Sequence, residues 1–218
     1  MRVSLCTWCR DWPDIRRTLP VNIALTKGMD VELCVADVGS RDDTVQWLLS
    51  LDEPQLNVRG FLLDSLHFAK AYNLSHSMAT GEILCCVDAD NVIGPRYVDQ
   101  VVKEISTDPK AIVHAWTGDW FDGTCGRLAM HRDLFNAVGG YDESFDAVGY
   151  QDLDLRDRAQ AFGGRVVVIH DPEVVGLAIK TPDGKKIQHI NGNYGVMNGN
   201  NQIRSKANLA AGRLKANV

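Results

Sequence analysis

Short apolar runs alternate with helix-like segments through the first half of the chain. This rhythm restricts it to a mostly parallel α/β sheet covered by helices. Residues 3–7, 31–36, 57–63, 83–87 and 111–116 read as strands, and 13–26, 42–51, 68–79 and 95–106 as helices. The punctuation agrees. Pro13 stands near the start of the first helix and Gly28 just past its end, the asymmetry that helix termini favour.

The second half is less regular. Residues 118–126 are loop-rich and aromatic, 127–131 read as a short strand, 132–138 and 152–162 as helices, and 165–170 as a strand. Residues 191–201 are rich in Asn and Gly and read as a flexible segment, followed by a terminal helix within 202–216. The expected class is α/β, with a small antiparallel element in the C-terminal half.

Charge is unevenly spread. The net charge is -5, yet residues 180–218 carry seven basic residues against Asp183, so the tail holds +6 and residues 1–179 hold -11. A basic tail on an acidic body suits an anionic partner, and serves equally as a solvated basic helix. The acidic body disfavours nucleic acid, which needs a basic surface. No apolar stretch is long enough to span a membrane, and the start lacks the core of a signal peptide, so a cytoplasmic protein is expected. Cys6 and Cys9 have redox spacing, but no second pair completes a zinc site, and reduced core thiols are expected.

The chemistry concentrates at Asp88-Ala89-Asp90, which ends the apolar run 83–87. Side chains alternate along a strand, so two carboxylates two residues apart lie on one side. Hard oxygen ligands at the carboxyl end of a strand suit Mg²⁺ or Mn²⁺, and the crevice there is where open α/β sheets bind ligands.

Three further motifs occur in order with this triplet: Ala36-Asp37-Val38-Gly39-Ser40, Phe68-Ala69-Lys70-Ala71-Tyr72-Asn73, and residues 130–141 followed by Gly149-Tyr150-Gln151-Asp152-Leu153-Asp154. Together they resemble the GT-A glycosyltransferases of the family-two-like group. The C-terminal half is similar to that of β-1,4-galactosyltransferases and chondroitin-type polymerases. The resemblance runs from Arg2 to about Gly176. It implies a catalytic domain over 1–179, with a nucleotide-binding half (1–117), an acceptor-side half (118–179), and a lid and tail over 180–218.

The resemblance also assigns roles. Thr7, Asp37, Lys70, Asn73 and Asp88 are expected around a uridine diphosphate sugar. Asp90, with Asp88, is expected on Mn²⁺ or Mg²⁺. His189 is the candidate third ligand and His170 the runner-up. Asp152 is the expected general base, kept ionised at a helix N-terminus, with the sugar passing to an acceptor hydroxyl by inversion. A segment following His189 is expected to close over the donor and bring Tyr194 toward it. The acceptor stays open among saccharide, peptide side chain, lipid carrier and small molecule.

Two departures stand out. Gln151 replaces the usual Glu before the base, and Val148 replaces the aromatic acceptor platform, for which Trp120 or Tyr150 are substitutes. A non-catalytic sugar- or nucleotide-binding protein and a retaining enzyme are the alternatives. A sugar nucleotidyltransferase fits poorly, because residues 7–13 contain no glycine.

Overall fold

A computed structural model describes residues 1–179 and 193–218. The described elements are β1 (Val3–Cys9), α1 (Ile15–Leu25), β2 (Val31–Asp37), α2 (Thr44–Ser50), β3 (Leu56–Gly60), α3 (Phe68–Ser77), β4 (Ile83–Cys86), β5 (Asn91–Val92) and α4 (Tyr97–Thr107). They continue with β6 (Ala111–Ala115), β7 (Leu128–His131), α5 (Arg132–Ala137), α6 (Gln151–Ala161), β8 (Arg165–Ile169), α7 (Pro172–Val175), β9 (Leu177–Ala178) and α8 (Tyr194–Ala210).

Seven strands form one sheet in the order β3-β2-β1-β4-β7-β6-β8. The pairs β1–β2, β2–β3, β1–β4 and β6–β8 are parallel, while β7 runs antiparallel to both β4 and β6. The expected small antiparallel element is a second sheet, in which β5 pairs with β9.

Alternation along β1 divides the core. Val3, Leu5 and Cys9 join the cluster on one face with Ile15, Leu19 and Val101, while Cys6 and Trp8 join the cluster on the other with Tyr72, Leu134 and Leu155. Strand order reverses at β1, which has β2 on one side and β4 on the other. That reversal opens a crevice at the strands' carboxyl ends, and Asp88 stands at its mouth. All six cysteines are free, and burial pushes the thiols of Cys6, Cys9, Cys85 and Cys86 up. No helix among the described residues is long and apolar enough to cross a membrane.

The Asn/Gly-rich segment requires a correction. From Tyr194 onward it is helix rather than flexible loop; Asn191 and Gly192 lie outside the described residues. Asn is a weak helix former, but tertiary hydrogen bonds outweigh that preference here. Asn193 caps the helix by accepting from Val196 N at 3.3 Å. Buried Asn201 donates to the carbonyls of Asp146, Val148 and Gly149 at 3.2, 3.2 and 2.8 Å, and accepts from Asp146 N at 2.7 Å. Residues beyond α8 also fold back onto the body. Ala216 N donates to Val138 O, and Asn217 donates to the carbonyls of Gly139 and Tyr141.

Candidate active site

The crevice widens into a cleft of about 380 Å³, lined by Asp88, Asp90 and Asp152 and by the rings of Trp8, Trp12, Phe68 and Tyr72. Asp88 and Asp90 follow β4. Asp152 joins them in the cleft lining from the first turn of α6. A sharp turn aims it: Gly149 and Tyr150 both have positive φ, 96° and 64°. A left-handed non-Gly residue stores strain, and such residues cluster at functional sites. Gly126 lies close to both carboxylates. A Cβ there would sit 3.3 Å from Asp88 Oδ2 and 3.4 Å from Asp152 Oδ2.

Tyr72 donates its hydroxyl to Asp88 Oδ1 at 2.5 Å, and Asn91 Nδ2 donates to Asp90 Oδ1 at 2.7 Å. Burial, and then the charge of Asp90, push the Asp88 carboxyl up to about 6. Asp152 was expected to be held ionised by the helix terminus. The backbone N–H groups there do favour the charge, but burial and the charge of Asp88 outweigh them and push it up to about 6 as well.

These shifts set a pH dependence. Both carboxyls bind protons more tightly in the folded chain than in the unfolded one, where they titrate near 3.8. In the metal-free fold the contribution of these two carboxyls is therefore fully present below about pH 4, and on the order of a few kcal/mol of it is lost as the pH rises through 6. A divalent cation relieves the same repulsion. Added Mn²⁺ is expected to raise the melting temperature more at pH 7 than at pH 5, read by differential scanning fluorimetry. Equal shifts at the two values would contradict this electrostatic account.

The donor set fits a hard divalent cation in part. Among the described residues no three His, Cys, Asp or Glu side chains are grouped closely enough to hold an ion by themselves. Two carboxylates that repel one another in a partly buried cleft are nonetheless what Mg²⁺ or Mn²⁺ takes, the other positions going to water and phosphate oxygens. The candidate third ligand His189 lies outside the described residues. The runner-up His170 is exposed, contacts Trp116 O through Nδ1 at 2.7 Å, and is not part of the cleft lining.

Four of the residues expected around the nucleotide are not among those lining this cleft. Thr7 lies on the α1 face of β1, beside Ile15 and Leu19 in a small cavity that Asp88 and Ala89 also line, and its buried hydroxyl has no partner. Asp37 is 2% exposed and spends Oδ1 on Gly39 N and Ser40 N, making the turn after β2. Lys70 is exposed and outside the cleft lining. Asn73 exchanges hydrogen bonds with the backbone of Tyr141 and donates to Glu143 Oε1. Its presence inside a helix is thus explained by holding a loop in place.

Val148, Tyr150 and Tyr194 also line the cleft, whereas Trp120 is not among its lining and packs against Trp116 at an interplanar angle of 55°. Gln151 is 8% exposed, lines the cleft and has no partner for its buried Oε1. The aromatic wall went unread in the sequence. Its signal was available in the i, i+4 spacing of Phe68 and Tyr72 on one helix face.

Residues 4–132 match the model of glycosyl transferase family 2. The chain belongs to that family. It is 25% identical over 211 residues to the O-antigen biosynthesis protein RfbC of Myxococcus xanthus, a match covering 76% of this chain and 16% of that much longer protein. Among solved structures it is similar to the mannosyltransferase PcManGT of Pyrobaculum calidifontis in complex with GDP-Man and Mn²⁺. There the TM-score is 0.70 at 20% identity, over 93% of this chain and 64% of that one. It is also similar to S. aureus TarS 1-349 in complex with UDP-GlcNAc, with a TM-score of 0.61 at 17% identity, over 78% of this chain and 56% of that one. At these identities the shared property is the GT-A fold.

Proposed function

We propose that this family 2 domain transfers a sugar from a nucleotide diphosphate donor, a uridine one first among candidates, to an acceptor hydroxyl with inversion. The observation that carries the reading is that Asp152 shares one cleft with Asp88 and Asp90, with the side-chain-free Gly126 close to both the Asp88 and the Asp152 carboxylates. Solved relatives bound to GDP-Man with Mn²⁺ and to UDP-GlcNAc support a nucleotide-sugar donor.

Asp88 and Asp90, with His189 as candidate third ligand, would hold Mn²⁺ or Mg²⁺. When bound, the cation supplies charge neutralisation to the departing diphosphate. Asp152 takes the proton of the attacking hydroxyl, and a carboxyl titrating near 6 is well matched to that task at neutral pH. The rings of Trp8, Trp12, Phe68 and Tyr72 offer apolar faces on which a base or sugar stacks and from which water is excluded. Gln151 Oε1 accepts from a sugar hydroxyl. Tyr194 contributes from the start of α8, so the role expected of a loop passes to a helix terminus. The acceptor is a saccharide, peptide side chain, lipid carrier or small molecule.

Inversion is tested by NMR of the product from an α-linked donor. A β-linked product is expected. An α-linked product would assign a retaining mechanism and remove Asp152 as base. The neutral Gln151 favours one other reading, a binding protein without turnover. Slow donor hydrolysis that disappears in Asp152→Asn decides against it.

A further inference from the structure

Behind the Asp88/Asp90 carboxylates lies a buried cation that the transfer reaction does not itself use. Arg127 is 1% exposed, on the residue before β7. A guanidinium buried this deeply costs several kcal/mol unless it is compensated. Its compensation comes from the site. Arg127 Nη2 donates to Asn91 Oδ1, and the charges of Asp88 and Asp122 face it. Its Nε and Nη1 have no hydrogen-bond partner.

Asn91 is also 1% exposed. An amide oxygen only accepts and an amide nitrogen only donates. With Oδ1 turned to Arg127, Nδ2 must face the other way, where it donates to Asp90 Oδ1 at 2.7 Å and to Gly123 O at 3.3 Å. The Asn91 backbone is pinned as well. Its N–H donates to Asp88 O at 2.9 Å, and its carbonyl accepts from Asn22 Nδ2 at 2.9 Å. The amide therefore has one orientation, and Arg127 selects it.

We infer that Arg127 and Asn91 form a positioning relay that fixes the Asp90 carboxylate and thereby sets the affinity of the domain for its divalent cation. The inference rests on the reading of Asp90 as a cation ligand. Neither residue touches substrate; both act through Asp90. Removing an outer partner of a metal ligand typically weakens binding about 10- to 100-fold.

The test is a double-mutant cycle on the dissociation constant of Mn²⁺ alone, measured by electron paramagnetic resonance of the free ion. Circular dichroism establishes that each variant is folded. Asn91→Leu and Arg127→Met are each expected to weaken Mn²⁺ binding about tenfold or more, and the double variant no further than the weaker single. Asn91→Ala replaces Asn91→Leu if the latter does not fold, and Arg127→Lys replaces Arg127→Met. Folded single variants within twofold of wild type would overturn the relay, as would effects that simply multiply in the double variant. Asp90→Asn is the control. If it binds Mn²⁺ like wild type, the ligand assignment itself fails; if it alone loses binding, only the relay fails.

Discussion

Asp152→Asn is expected to lower turnover by about 10²- to 10⁴-fold, the usual contribution of a positioned general base. Asn is close to isosteric, so the strained Gly149–Tyr150 turn and the first turn of α6 have no reason to move. The substitution also removes a buried carboxylate whose charge is opposed by burial and by Asp88. Stability of the metal-free protein at pH 7 is therefore expected to hold or rise while kcat collapses. That opposition separates lost chemistry from lost fold. Parallel measurements of kcat and of urea unfolding at pH 7 check it. Turnover within tenfold of wild type would remove Asp152 from the mechanism.

The second large effect concerns stability. Arg158→Met is expected to cost about 3–5 kcal/mol, the range for breaking a buried ion pair by removing one partner. Arg158 and Asp154 lie one helical turn apart on α6, at the i, i+4 spacing of an ion pair. In the fold both are buried, with Arg158 Nε donating to Asp154 Oδ2 at 2.7 Å. Arg158 also donates to the carbonyls of Val138 and Gly140 at 2.6 and 2.7 Å. Losing it strands a buried carboxylate and leaves two carbonyls without this donor. Replacing both members, as in Asp154→Leu with Arg158→Met, is expected to recover much of the loss, because the lone buried charge is then gone. Urea denaturation of the two variants measures this. A single variant within 1 kcal/mol of wild type would show that the pair carries little.

The parallel half of the fold was legible because its periodicity is strong. The buried strands β1, β2 and β4 are bounded, mostly apolar runs, and Asp88-Ala89-Asp90 announces itself by following one of them. What escaped reading depends on distant partners. The two-residue strands β5 and β9 exist only through their pairing across some 85 residues of chain. The N-terminal part of α8 is helical against its composition, because Asn193 caps it and Asn201 is satisfied by three carbonyls. Asn73 reads in the sequence as a residue needing a reason, and its hydrogen bonds to the Tyr141 backbone supply a structural one. The raised carboxyl of Asp152 was invisible for the same cause. Its neighbour Asp88 is 64 positions away in sequence and only a glycine's width away in space.

The central claim is that Asp88 and Asp90 hold a divalent cation in a cleft that cleaves a sugar from a nucleotide diphosphate. It is tested most directly by release of uridine diphosphate from a panel of uridine diphosphate sugars. The wild-type protein is assayed with Mn²⁺, with Mg²⁺ and with chelator, beside Asp90→Ala. The account predicts release with a divalent cation, none above background in chelator, and near-complete loss in Asp90→Ala with its fold retained. Release at the full rate in chelator, or an Asp90→Ala protein as active as wild type, would contradict it.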